Sequence, residues 1–138
     1  MEALAGKRIL VAEDNAFSRD ALCEMLAAYG AAAVPAGDGD EAVRLFAQSR
    51  EGAFDAAILD LCLPGMDGFA VSRAIRRMRR RDAGRLLILA HSSASARYAA
   101  REAEASGMDA CLQKPLNMRE LARILACASG FSGMDGTA

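Results

Sequence analysis

The chain has 138 residues, 53% of them hydrophobic and 25% charged, with a formal net charge of -1. That length suits one domain with a core of its own, and the composition excludes a disordered chain. The near-zero charge gives no overall pull toward nucleic acid or an anionic surface, and no apolar run approaches the ~18 residues that span a bilayer.

Lys7–Ala12 is predicted as a strand, apolar and β-branched until Glu13-Asp14 stops it. Asn15 stands as a helix N-cap. Phe17, Ala21, Met25 and Tyr29 recur at helical spacing, which predicts an amphipathic helix over 16–29 closed by Gly30. Ala31–Ala36 is a weaker second strand, and Pro35 assigns it to a sheet edge. Gly37-Asp38-Gly39-Asp40 reads as a turn. Asp40 then caps a helix over 41–50 that points Ala42, Val43, Leu45 and Phe46 inward.

Asp55–Asp60 is the third strand, a short apolar run of the kind buried on both faces. Asp67 or Gly68 opens the next helix, with an apolar stripe of Phe69, Val71, Ile75 and Met78. Leu86–His91 is a fourth strand, residues 95–106 a helix ending at Gly107, and Asp109–Leu112 a short fifth strand broken by Lys114-Pro115. Asn117 caps a last helix with Leu121, Ile124 and Leu125 inward. Ser129–Ala138 reads as a frayed tail or the stub of a linker, which leaves one domain over 1–128. Five strand–helix units joined by short connections predict an α/β fold, a parallel sheet with helices on both faces.

The N-terminus lacks an apolar segment after a basic one, so it does not read as a signal peptide. Cys23, Cys62, Cys111 and Cys127 lie far apart with no Cys-x-x-Cys pair. They read as reduced residues that pack as small hydrophobes, the pattern of a cytoplasmic protein.

Ligands of open parallel sheets bind at the carboxyl ends of the strands. Here those ends carry Glu13-Asp14, Asp60, Ser92-Ser93 and Lys114. Bare carboxylates on adjacent strand ends repel, and a hard cation such as Mg²⁺, with its preference for oxygen ligands, relieves the repulsion. A cation, the Lys114 ammonium and the Ser92 hydroxyl around one carboxylate suit an incoming phosphoryl group. They would neutralise its equatorial oxygens while Asp60 attacks in line.

The segments Ile9-Leu-Val-Ala-Glu-Asp-Asn15, Ile58-Leu-Asp-Leu-x-Leu-Pro-Gly-Met-Asp-Gly68, Ser92 and Gly107-Met-Asp…Lys114-Pro115 follow one another on the expected elements. Over essentially its full length the chain resembles the receiver domain of two-component response regulators and hybrid histidine kinases. The resemblance implies a flavodoxin-like (βα)5 doubly wound parallel sheet of strand order 2-1-3-4-5, which agrees with an edge position for Pro35. It implies Asp60 as phosphoacceptor and Lys114 as partner of the phosphoryl oxygens. It also implies Glu13, Asp14, Asp60 and the backbone carbonyl of Cys62 as Mg²⁺ ligands, and a cis peptide before Pro115. Counting back from Gly107 and Lys114 places the switch hydroxyl at Ser92, whereas counting forward from Asp60 reaches Ala90. Ser92 is preferred, because extra residues enter most easily in the Arg79–Gly84 connection. The family's swinging aromatic, three residues before the lysine, is Cys111 here. Switching is therefore expected through the loop after strand four and the fourth helix.

The implied partners are a phosphohistidine-bearing histidine kinase or histidine phosphotransfer domain and a downstream protein that reads the helix 4–strand 5–helix 5 surface. Direct contact with nucleic acid is not expected, since no DNA-binding segment follows residue 128. A single-domain regulator and a receiver cut from a larger chain both fit. A docking module that works without phosphorylation would be favoured by a missing acceptor, acid pair or lysine, and none is missing. A Mg²⁺-dependent aspartyl-phosphate phosphatase would carry a second Asp two residues after the nucleophile, where this chain has Cys62. His91, the only histidine, reads as structural. Arg73, Arg76, Arg77, Arg79, Arg80 and Arg81 read as a solvated outer face. Gly37-Asp-Gly-Asp-Glu-Ala42 has dinucleotide-fingerprint spacing, but its acidic residues would repel a pyrophosphate.

Overall fold

A computed structural model describes residues 3–93 and 96–134. Five parallel strands pair in the order β2-β1-β3-β4-β5. They are β1 Arg8–Ala12, β2 Ala32–Ala36, β3 Ala56–Asp60, β4 Leu87–Ser92 and β5 Ala110–Gln113. The helices are α1 Ala16–Ala28, α2 Gly39–Gln48, α3 Gly68–Arg76, α4 Ala96–Ala105 and α5 Met118–Met134, and a 3-10 turn spans Arg81–Ala83. This is the flavodoxin-like order expected for a doubly wound sheet.

The period of two along the strands builds two cores. Leu10, Ala57, Leu59, Ile88 and Ala90 face one way, onto Phe46 of α2 and Val71 and Ile75 of α3. Ile9, Val11, Ala56, Ile58 and Leu89 face the other, onto Leu22 and Leu26 of α1 and Leu121 and Leu125 of α5. All five residues of β3 are buried, which is why that strand reads as an unbroken apolar run. β2 lies at the edge, where Pro35 sits opposite Val11 and its missing N–H disrupts no inner ladder.

Local chemistry sets the helix ends. Asn15 accepts from Ser18 N, Asp67 from Ala70 N and Asn117 from Glu120 N, each at 2.9 Å. α1 closes as a Schellman motif: Ala31 N reaches Leu26 O and Gly30 N reaches Ala27 O, with Gly30 at φ 96°. The cap of α2 is Asp38, not Asp40. Asp38 Oδ1 accepts from Glu41 N, and Glu41 Oε1 reaches back to Gly37 N, both at 2.8 Å. The reciprocal bonds start the helix at Gly39, inside what the sequence presents as a turn.

Two further corrections concern the second half. The arginine run is not one helical face, because α3 stops at Arg76. Arg76 donates to the carbonyls of Gly107, Ala83 and Leu86 and pairs with Asp109. Arg80 donates to the carbonyls of Phe46 and Arg50, pairs with buried Asp82 and lies 4.3 Å over the Phe46 ring. Arg73, Arg77, Arg79 and Arg81 are exposed. The helix α5 runs through Met134, so residues 129–134 are helical where a tail is expected, and 135–138 lie outside the described residues. The expected start of the fourth helix at Ser95 also lies outside them. Among the described residues no helix is long and apolar enough to cross a membrane.

Candidate active site at the strand mouths

β1 and β3 are neighbours, so Glu13 and Asp14 just after β1 and Asp60 at the end of β3 bring carboxylates to one point above the sheet. Carboxylate oxygens of Glu13, Asp14 and Asp60 lie within 4.8 Å of one another. Glu13 is 4% and Asp60 6% exposed, depths at which a carboxylate needs partners. Lys114, the first residue after β5, supplies them. Its Nζ donates to Glu13 Oε1 at 3.0 Å and to Asp60 Oδ2 at 2.9 Å. The remaining oxygens of the two buried acids are also held: Asp60 Oδ1 by Cys62 N at 2.9 Å, Glu13 Oε2 by Asn15 N at 3.1 Å. Asp14 is exposed, and its carboxylate has no partner among the described residues.

Burial alone would lower the pKa of Lys114. The hydrogen bonds and negative charges of Asp60 and Glu13 outweigh it and raise the pKa, so the ammonium stays protonated. Gly68 permits the tight approach of α3 to Asp60: a Cβ there would come within 2.6 Å of Asp60 O.

Ser92 is the last residue of β4 and is buried, and its carbonyl accepts from Lys114 N at 2.7 Å. The residue opposite Asp60 in register is His91, so Ser92 stands one step beyond it at the mouth. Ala90 lies opposite Leu59 inside the core. The connection between α3 and β4 contains a 3-10 turn at Arg81–Ala83. Cys62 is exposed on the loop after β3. The Lys114–Pro115 peptide is cis. Cys111 stands apart from the acid cluster; it is half-buried on β5 against the core beneath α4, and burial raises its thiol pKa.

His91 lines a groove of about 430 Å³ between α1 and the Pro115-Leu116 turn, with Glu13 and Lys114 at one end. Its Nε2 is buried and has no partner among the described residues. Burial, assisted by the Lys114 charge and opposed by Asp60, pushes its pKa down to about 4, so the ring is neutral at physiological pH.

One contributor is absent from the sequence reading. Arg19, on the second turn of α1, donates from Nη1 to Glu13 O at 2.8 Å and reaches Asp14 O at 3.5 Å. The only sequence signal is a half-buried cation close after an acidic pair, which many helices share.

The family model described as the response regulator receiver domain matches residues 9–126. The chain belongs to the response regulator receiver-domain family. Among curated receiver-bearing relatives, histidine kinase CKI1 of Arabidopsis thaliana is 36% identical, over 90% of this chain and 12% of its own length. Response regulator MprA of Mycolicibacterium vanbaalenii is 36% identical, over 94% of this chain and 53% of its own. The chain thus spans about half or less of the length of these relatives. A solved neighbour is the receiver domain of sensor histidine kinase PA1611 from Pseudomonas aeruginosa PAO1, which carries a magnesium ion in its active-site cleft. It is 32% identical with a TM-score of 0.78, and the match covers 91% of this chain and 99% of that one. As a receiver domain, the chain is a module of two-component signal transduction. Its clustered carboxylates form a set of hard oxygen donors of the kind that holds a divalent cation.

Proposed function

We propose that this receiver accepts a phosphoryl group on Asp60 from a phosphohistidine. The N–P bond of the donor breaks as a carboxylate oxygen of Asp60 forms the new O–P bond, and the imidazole leaves. The observation that carries this is the convergence of three carboxylates and one ammonium at adjacent strand ends. Glu13, Asp14, Asp60 and the backbone carbonyl of Cys62 would hold Mg²⁺. When bound, the ion offsets negative charge on the carboxylates and on the phosphoryl oxygens.

In this reading Lys114 exchanges its bond to Asp60 for one to the phosphoryl group, and the Ser92 hydroxyl donates to another phosphoryl oxygen. Asp60 loses its partnered anionic oxygen and becomes an acyl phosphate carrying roughly two negative charges. Ser92 lies at the root of the connection to α4, and its carbonyl is tied to the amide of Lys114. A shift of both residues therefore moves the α4–β5–α5 surface as a unit, with Cys111 on β5 at its core, and biases a two-state equilibrium that a downstream protein reads. The donor would be a histidine kinase or histidine phosphotransfer domain in the cytoplasm. It would seat along the groove beside Glu13 and Lys114, where Phe17 is 83% exposed and Met25 38%.

Acetyl phosphate with Mg²⁺ tests the assignment by intact mass. The wild type gains one phosphoryl group and Asp60→Asn gains none. Equal labelling of the two removes Asp60 from the mechanism. An unlabelled wild type leaves a receiver fold used for docking alone.

A further inference from the structure

We infer that Arg19 is a positioning residue that sets the affinity of the acidic turn for a divalent cation; the inference rests on the metal-binding reading above. Two successive backbone carbonyls, those of Glu13 and Asp14, converge on one guanidinium nitrogen at 2.8 and 3.5 Å. The Arg19 side chain is half-buried and lies near Gly37, where an added Cβ would stand 3.5 Å from the same Nη1. Gly37 is itself fixed by Glu41 Oε1. Arg19 therefore ties the β1–α1 turn to α1, and it lies beside the β2–α2 turn.

The consequence falls on Asp14. Glu13 and Asp60 have both carboxylate oxygens engaged, so their side chains are held directly. Asp14 has no such restraint on its side chain, and its placement depends on its backbone. The bonds from Arg19 to the Glu13 and Asp14 carbonyls, which flank the Asp14 Cα, supply that restraint.

Charge and position make opposite predictions here, which separates them. Removing a positive charge beside a cation site strengthens cation binding by electrostatics alone. Loosening a ligand-bearing turn weakens it. Residues that orient metal ligands are worth about tenfold or more in affinity, so Arg19→Gln is expected to raise the Mg²⁺ dissociation constant by about tenfold. Arg19→Lys keeps the charge on a shorter, more flexible stem without the fixed plane of the guanidinium, and should fall between the two.

Isothermal titration with Mg²⁺, on protein shown by thermal melting to be folded without metal, reads the effect directly. In acetyl phosphate labelling the loss should appear as a raised Mg²⁺ requirement, with the maximal rate recovered at high Mg²⁺. Arg19→Gln binding that matches or exceeds the wild type overturns the inference and leaves the metal reading intact. A wild type that binds no Mg²⁺ overturns both. If Arg19→Gln proves unfolded, Arg19→Lys decides: an affinity equal to the wild type overturns the inference.

Discussion

Lys114→Met is the sharpest perturbation of the site, because it keeps the alkyl stem and deletes the cation that bridges Glu13 and Asp60. In the wild type the ammonium holds Glu13 at 3.0 Å and Asp60 at 2.9 Å. Without it, carboxylates within 4.8 Å of each other face one another uncompensated. At an effective dielectric of about 20, two like charges that far apart repel by about 3.5 kcal/mol. The metal-free variant is expected to lose about 3 kcal/mol, at the low end of the cost of leaving a buried charge uncompensated. Mg²⁺ supplies the missing charge. Its stabilisation should therefore be larger in the variant than in the wild type, by about 1.4 kcal/mol for each tenfold gain in affinity. Urea unfolding at neutral pH, with and without saturating Mg²⁺, measures both quantities. Adding Glu13→Gln to Lys114→Met should recover much of the loss, since one of the unpaired charges is then gone. A metal-free Lys114→Met as stable as the wild type, or one that gains no more from Mg²⁺, refutes the electrostatic account of the cluster.

His91 and Arg80 give two predictions about stability. Protonated His91 belongs to the unfolded chain, because its pKa falls from 6.5 to about 4 on folding. Its contribution is complete above about pH 6.5 and is lost as the pH falls toward 4, a span worth about 3 kcal/mol. His91→Leu should remove that part of the acid sensitivity and, by deleting an unpartnered buried nitrogen, add about 1 kcal/mol at neutral pH. Urea midpoints across that pH window check it, and parallel profiles for the two proteins would contradict it. Arg80→Ala should cost about 3 kcal/mol, since it strips the end of α2 and leaves Asp82, which is 7% exposed, with the Gly52 amide but no counter-charge. The Asp82 carboxyl is held below its usual range chiefly by the Arg80 hydrogen bond. The stabilisation is therefore present above about pH 4 and is lost as the pH falls through the lowered value, and the variant's profile should be flatter there. A loss under about 1 kcal/mol would place Arg80 among ordinary surface arginines.

What the sequence discloses and what it hides divide by the range of the interactions involved. Ala56–Asp60 is legible as the central strand because burial on both faces writes itself into consecutive residues. Asn15, Asp67 and Asn117 are legible as caps because each bonds an amide three residues on. Asp38 obeys the same rule, but Gly39 beside it reads as a turn and hides the helix start. Arg76 and Arg80 are illegible for another reason. Their carbonyl partners lie up to 31 and 34 residues away, at positions only the finished fold brings within reach. A charged run on a predicted helix then looks like a solvated face, although two of its members close off helix ends and strand starts.

The site itself was legible to the extent that its groups sit at strand ends, since topology alone carries Glu13, Asp14, Asp60 and Lys114 to one mouth. Topology does not say which groups are restrained. In the structure Glu13 and Asp60 share one ammonium and have no free carboxylate oxygen, while Asp14 has no side-chain partner among the described residues. A cation bound here would find the Asp14 carboxylate unpartnered, whereas Glu13 and Asp60 would share their oxygens with Lys114. In the proposed reaction the same lysine would meet the phosphoryl oxygens. A bound cation, by taking up the charge of the two acids, would weaken their hold on Lys114. By that reasoning Asp14→Asn should weaken Mg²⁺ binding while leaving metal-free stability nearly unchanged, whereas Glu13→Gln should alter both. Titration calorimetry paired with urea unfolding separates the two, and equal loss of stability in the two variants would show that Asp14 is restrained after all.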